Sequence, residues 1–164
     1  MKQIKLSNKF NGEDIYITVD DWNYEWLSQW KWAANIIGSR IKSVRRDTTE
    51  SGKRITLIIG RFIFGYYGPL TIDHIDRNPL NNLEENLRIA TPSQQCFNKD
   101  KWTGTKNKYK GIKKIENRYE VSAGYKGKHY YLGSSKSEEG AALMYNKFAE
   151  EHYGEFAVLN KIDK

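Results

Sequence analysis

In the stretch TIDHIDRNPLNNLEENLRIATPSQQ, residues 71–95, a carboxylate and an imidazole stand side by side at Asp73 and His74. That pair suits hydrolysis of a phosphodiester, which needs a hard cation against the charge developing on phosphate oxygens and a base for the attacking water. Carboxylate and amide oxygens suit Mg²⁺ or Mn²⁺, and an imidazole with its near-neutral pKa suits the base. Neighbours on a regular strand point to opposite faces, so both can serve one site only where the strand ends or twists at His74. Gln95 offers a further amide oxygen from a helix opening at Pro92. Thr91 before the proline and Gln94 three positions after Thr91 make a capping box, a specific start signal. The plain alternative is an Asx-rich turn around Asp73, Asp76 and a solvated histidine, with Asn81, Asn82 and Asn86 as loop scaffolding.

The elements that must position these residues follow from periodicity. TIDHI and LRIA read as short strands on either side of the loop DRNPLNNLEEN, so the order is strand, loop, strand, helix. Upstream, IYITV (15–19) alternates like a strand. DDWNYEWLSQWKW carries Trp22, Trp26, Leu27 and Trp30 at helical spacing behind Asp20 or Asp21, and predicts an amphipathic helix with its tryptophans in the core. NIIGSRIKSV and RITLIIG predict two strands around DTTESGK, and RFIFGYYG a short helix or turn. Cys96 is expected as a small buried helix residue.

Downstream, KDKWTGTKNKYK is polar, lysine-rich and aperiodic, which predicts a linker. GIKKI, RYEVSAGY and KHYYLG then alternate as three antiparallel strands with turns at IENR and YKGK. SSKSEEGAALMYNKFAEEHYG predicts a helix with Ser137 at its N-cap, Ala141, Tyr145, Phe148, Ala149 and His152 on one face, and Gly154 at its end.

The 164 residues allow one domain or two small ones, and the single cysteine excludes an internal disulfide and a cysteine-cluster zinc site. No segment has the roughly 20 apolar residues of a membrane span, and the chain is expected to be soluble and cytoplasmic. The net charge of +7 is unevenly placed: residues 99–136 hold eleven Lys or Arg against three acids, while the remainder holds sixteen against seventeen. Interleaved with Trp102, Tyr109, Tyr119, Tyr125, Tyr130 and Tyr131, that basic stretch fits a surface for a phosphate backbone.

The motifs DHID, NPLNN and ENLRIAT with the helix after them resemble the HNH homing endonucleases of phages and mobile introns, and VDDWNYEWLSQWKW resembles the N-terminal region of many of them. The resemblance implies a ββα-metal motif over 71–99 within an endonuclease region of residues 1–99. It implies Asp73 as ligand to a single Mg²⁺ or Mn²⁺, His74 as general base and Asn82 as the residue that ties down the loop. Gln95 stands where the family places a second metal-binding Asn or His. It keeps the amide oxygen but extends it by a methylene, and a displacement of about 1 Å in a reacting constellation can cost on the order of 10²-fold. Arg77 and Gly60 stand where the family often has Gly and His.

After a linker at 100–108, residues 109–160 resemble the plant ethylene-response-factor (APETALA-type) DNA-binding domain, through YKGI, RYEV, YYLG, the helix at 137–153 and AVLN. That resemblance implies a three-stranded sheet in the major groove of duplex DNA, with Lys110, Lys113, Lys114, Arg118, His129 and Tyr131 on it and Tyr145 reaching phosphate from the helix. Of the adjacent tyrosines, alternation requires one to pack on the helix, and Tyr131 is taken as the outward one. Lysine lacks the bidentate fork of arginine, which softens base readout.

The expected fold class is therefore α+β, and the expected activity is metal-dependent nicking of double-stranded DNA in a phage or bacterial cell, with no obligate protein partner. Two other readings stand beside it: a regulator descended from the nuclease whose site is disabled by Gln95, and an RNA-binding module using the same basic aromatics.

Overall fold

A computed structural model describes residues 1–37, 40–101, 104 and 107–162; Trp102 lies outside the described residues. The chain is mixed α and β with four small antiparallel sheets among the described residues, and it divides into two compact units, 1–90 and 91–164.

The N-terminal unit opens with a hairpin of β1 (Lys2–Phe10) and β2 (Glu13–Val19). Its turn is Asn11–Gly12, with φ of 50° and 85°, the positive pair that a type I′ turn demands and that Asn–Gly adopts at least cost. Ile4, Leu6, Ile15, Ile17 and Val19 alternate inward and join Leu27, Trp32, Ala34 and Ile59 in one core. Helix α1 is only Asp21–Leu27. The helical spacing therefore does not carry through to Trp30, and two of the three tryptophans stand outside the core: Trp22 is 65% and Trp26 40% exposed, whereas Trp30 packs against the core half-buried and Trp32 is 1% exposed with its indole N–H donated to the Leu27 carbonyl at 2.9 Å. Trp26 instead stacks on Phe62 at 4.5 Å.

NIIGSRIKSV is a hairpin rather than one strand, divided between β3 (Ala33–Ile37) and β4 (Arg40–Thr48); β5 (Arg54–Ile58) completes a sheet of order β3-β4-β5. The sheet runs directly into helix α2 (Ile59–Phe64), closed by Gly65 at φ 59°. Gly60 is buried there, and a Cβ on it would stand 3.1 Å from Ile72 Cγ2. A histidine at 60 would force Ile72 aside. β6 (Thr71–His74) and β7 (Leu87–Ala90) then pair antiparallel, with Asp73 opposite Arg88 and His74 opposite Leu87.

The C-terminal unit begins with α3 (Pro92–Phe97), whose capping box is complete: Thr91 Oγ1 accepts from Gln94 N at 3.2 Å and Gln94 Oε1 from Thr91 N at 2.8 Å. Cys96 is exposed on this helix, not buried. It is Phe97 that faces the core, stacked on Tyr153 at 4.0 Å. Strands β8 (Ile112–Ile115), β9 (Arg118–Tyr125) and β10 (Lys128–Ser135) form a sheet of order β10-β9-β8. One face packs on α4 (Glu138–Tyr153) through Val121, Ala123, Ala141, Ala142, Tyr145, Phe148 and Ala149. Ser137 caps α4 by accepting from Gly140 N at 3.1 Å.

Candidate active site

Strand β6 ends at His74, where the chain turns: Ile75 N donates to Asn86 O at 2.8 Å and Arg77 N to His74 O at 2.9 Å. Arg77 takes the left-handed conformation with φ 66°, which costs a non-glycine residue roughly 1 kcal/mol or more. Asp76 nails the loop down. Its carboxylate accepts from Asn78 N at 2.8 Å, Asn86 Nδ2 at 2.9 Å and Asn81 Nδ2 at 2.8 Å. Partial burial pushes its pKa up, but these hydrogen bonds outweigh it and leave the carboxyl below its ordinary range. Asp76, Asn81 and Asn86 are thus scaffolding, as the residue types suggest.

The same loop is tied to β2. Thr18 N donates to Leu80 O and Asn82 N to Thr18 O, each at 2.8 Å, and Asp20 Oδ2 accepts from Glu84 N at 2.8 Å. This seats Asn82 with no exposed surface, its Nδ2 directed to Pro79 O at 3.3 Å and its Oδ1 3.2 Å from His74 Nε2. A carbonyl oxygen can only accept, so in the neutral ring Nε2 carries the hydrogen and Nδ1 the basic lone pair. Burial holds the His74 pKa below the usual imidazole value, against upward pulls from Asn82, Asp76 and Asp73. The ring is therefore neutral at pH 7 and able to accept a proton.

Asp73 is 5% exposed and receives Arg88 Nε at 3.1 Å across the β6–β7 ladder. Arg88 is the residue that reading the sequence overlooked. The signal for it was present: pairing TIDH end to end against LRIA as antiparallel strands sets the aspartate opposite the arginine. Among the described residues no three His, Cys, Asp or Glu side chains gather to cage an ion. One buried hard carboxylate is nonetheless what Mg²⁺ takes, since it keeps several waters and binds through one or two protein oxygens and substrate phosphates. Gln95 lies in the first turns of α3, in the other compact unit.

Of the basic sheet residues, Lys113, Arg118, His129 and Tyr131 fall on the face of β8–β10 turned away from α4, by alternation and by the pairs Lys113↔Glu120, His129↔Gly124 and Tyr131↔Ser122. Tyr131 is 63% exposed, while Tyr130 packs on Phe148 at 5.5 Å. Three residues depart from the expectation. Lys114 lies on the opposite face, above the Tyr119 ring. Lys110 is inside a loop clamp, its ammonium donating to Phe97 O at 2.7 Å and Lys99 O at 2.6 Å. Tyr145 is 3% exposed in the core, against Gly111, and burial pushes its hydroxyl pKa well up. Glu120, one of the three acids of residues 99–136, places a carboxylate on the outward face beside Lys113.

The chain is 37% identical over 160 residues to an uncharacterised HNH endonuclease of Acanthamoeba polyphaga mimivirus, a match spanning 96% of this chain and 80% of that one. It is 34% identical over 95 residues to protein 3.8 of Escherichia phage T7, covering 57% of this chain and 74% of that protein. No protein-family model and no solved structure matches.

Proposed function

The chain belongs to the HNH endonucleases, and from that premise we propose that it hydrolyses phosphodiester bonds of duplex DNA with a divalent cation, one strand at a time. The observation that carries this reading is the contact at 3.2 Å between the half-buried His74 and the wholly buried Asn82, which presents a neutral imidazole with Nε2 toward the amide oxygen. His74 Nδ1 takes the proton of the attacking water. Asn82 orients the ring and stabilises the imidazolium that forms. Asp73 would hold Mg²⁺ or Mn²⁺, and the family resemblance supplies Gln95 as the second protein ligand. When bound, the cation supplies positive charge to the phosphate oxygens and the leaving 3′ oxygen. The outward face of β8–β10, with Lys113, Arg118, His129 and Tyr131, is the surface assigned to placing the duplex.

A second reading, a DNA-binding regulator without cleavage, draws on the Arg88 guanidinium that already neutralises Asp73 at 3.1 Å. Supercoiled plasmid incubated with Mg²⁺ or Mn²⁺ separates the two. Nicking by wild type, lost in His74→Ala and raised in Gln95→Asn, supports the nuclease. Equal inertness of all three proteins, with plasmid still retarded on a gel, supports the regulator. No helix among the described residues is long and apolar enough to cross a membrane.

A further inference from the structure

Outside residues 99–136 the charges nearly cancel by count, yet the fold sorts them. In the β3-β4-β5 sheet the pairs Asn35↔Lys42, Val44↔Ile58, Arg46↔Thr56 and Thr48↔Arg54 lie on one face, without register shifts. The other face carries Ala34, Ile36 and Ile41 into the core, and there Arg45 is bound to Asp47 and lies over Trp30 at 4.9 Å. The first face is different. Among its described residues none is acidic, Lys42, Arg46, Thr48, Arg54 and Thr56 are exposed, and none of the three cations has an ion-pair partner among the described residues. Of this face only the central row is covered, with Val44 4% exposed. Lys42 and Arg46 stand four residues apart on one strand, roughly 13 Å along it. Arg54 sits diagonal to Arg46, within about 8 Å. Two guanidinium groups and an ammonium, set among hydroxyl and amide side chains on an exposed face, match a repeating anion and offer nothing to an apolar partner. The sheet also runs without a break into α2, whose Gly60 packs against Ile72, the neighbour of Asp73.

We infer that this face of the N-terminal sheet is a second backbone-binding surface, on which Lys42, Arg46 and Arg54 neutralise phosphates of the duplex being cut. The inference rests on the nuclease reading for its ligand and concerns binding alone. Each phosphate neutralised steepens the fall of log K with log salt by about 0.9, so the three cations contribute about 2.7 to the slope.

The test measures binding of a short duplex DNA by the full chain across 50–200 mM salt. It compares wild type, the sheet variant Lys42→Gln/Arg46→Gln/Arg54→Gln, and a control that removes the same charge elsewhere, Lys2→Gln/Lys9→Gln/Lys31→Gln. The inference expects the sheet variant to lose at least tenfold in affinity with a slope shallower by 2 or more, the control to lose far less, and Lys42→Arg/Arg46→Lys/Arg54→Lys to keep the wild-type slope. Circular dichroism verifies that each variant is folded, and the single Gln substitutions stand in should the triple unfold. The inference is overturned if sheet and control variants behave alike, if the charge-keeping variant loses as much as the glutamines, or if the loss appears only with duplex RNA of the same length. Plasmid nicking by the same proteins keeps the two ideas apart. A wild type that binds through this sheet but never cuts sinks the nuclease reading alone, and one that cuts but ignores the sheet charges sinks this inference alone.

Discussion

His74 Nε2 faces Asn82 Oδ1 at 3.2 Å, and Asn82 is wholly buried. Replacing Asn82 by Leu keeps the volume and removes the acceptor facing Nε2, which loosens the hold on the orientation and tautomer of the ring. Cleavage should fall about 10–100-fold, as for other residues that orient a ligand or base. Stability should fall by about 1–3 kcal/mol, because the loop groups that Asn82 satisfied are left buried. Nicking rate and urea midpoint of the variant check both.

Arg88 and Asp73 form an ion pair with side chains only 11% and 7% exposed. Arg88→Met takes the guanidinium away from a buried carboxylate, at a cost of up to about 3–5 kcal/mol. Mg²⁺ should raise the melting temperature of Arg88→Met more than that of wild type, because the cation replaces a lost partner. Equal Mg²⁺ shifts in the two proteins would count against Asp73 as a ligand.

Burial lowers the His74 pKa, so the folded ring releases its proton at lower pH than the unfolded one. A base must be neutral, and the acid limb of the cleavage profile should therefore turn below 6.5, the ordinary histidine value. The stability consequence has the same sign. The unfolded chain binds the extra proton, so stability is full above the unfolded pKa and is lost as pH falls from about 6.5 through the folded value. Thermal melts of wild type and His74→Gln between pH 8 and 5 should converge at the acid end.

Gly111 has φ 77°, and a Cβ there would stand 2.0 Å from Tyr145 Cδ2. Gly111→Ala should cost several kcal/mol, from left-handed strain plus overpacking of about 1–3 kcal/mol. Denaturant unfolding followed by tyrosine fluorescence reads the loss.

Tyr130 and Tyr131 are neighbours with opposite duties. Tyr130→Ala should destabilise by about 2 kcal/mol through its packing on Phe148. Tyr131→Ala should leave stability within about 0.5 kcal/mol and weaken duplex DNA binding at least fivefold. A Tyr131→Ala protein that binds as wild type would remove that ring from the proposed interface.

Much of this was legible in the residues because the signals are local. The capping box at Thr91 and Gln94, the strand pair around the asparagine loop and the capped helix after Ser137 each depend on neighbours a few positions apart. What escaped depends on longer range. The tryptophan spacing over 22–30 imitates one helix, yet the chain leaves the helix after Leu27 and buries Trp32. The β1 strand was missed although Asn11–Gly12 marks its turn, because the polar MKQIKLSNKF dilutes its alternation. Cys96 and Tyr145 were placed by residue type and by resemblance, and the packing around Phe97 and Gly111 reversed both. The cationic face of the N-terminal sheet was invisible to a count of charges, since strand pairing rather than abundance separates Lys42, Arg46 and Arg54 from the acids.

The hydrogen bonds that Thr18 donates to Leu80 O and accepts from Asn82 N make the asparagine loop a third rail beside the first hairpin. The Asp–His hairpin is therefore no portable cassette. A peptide cut out at 71–99 would carry every signature residue and still lack the edge that seats its asparagine, and grafting the motif into a new scaffold would require transplanting the strand around Thr18 with it.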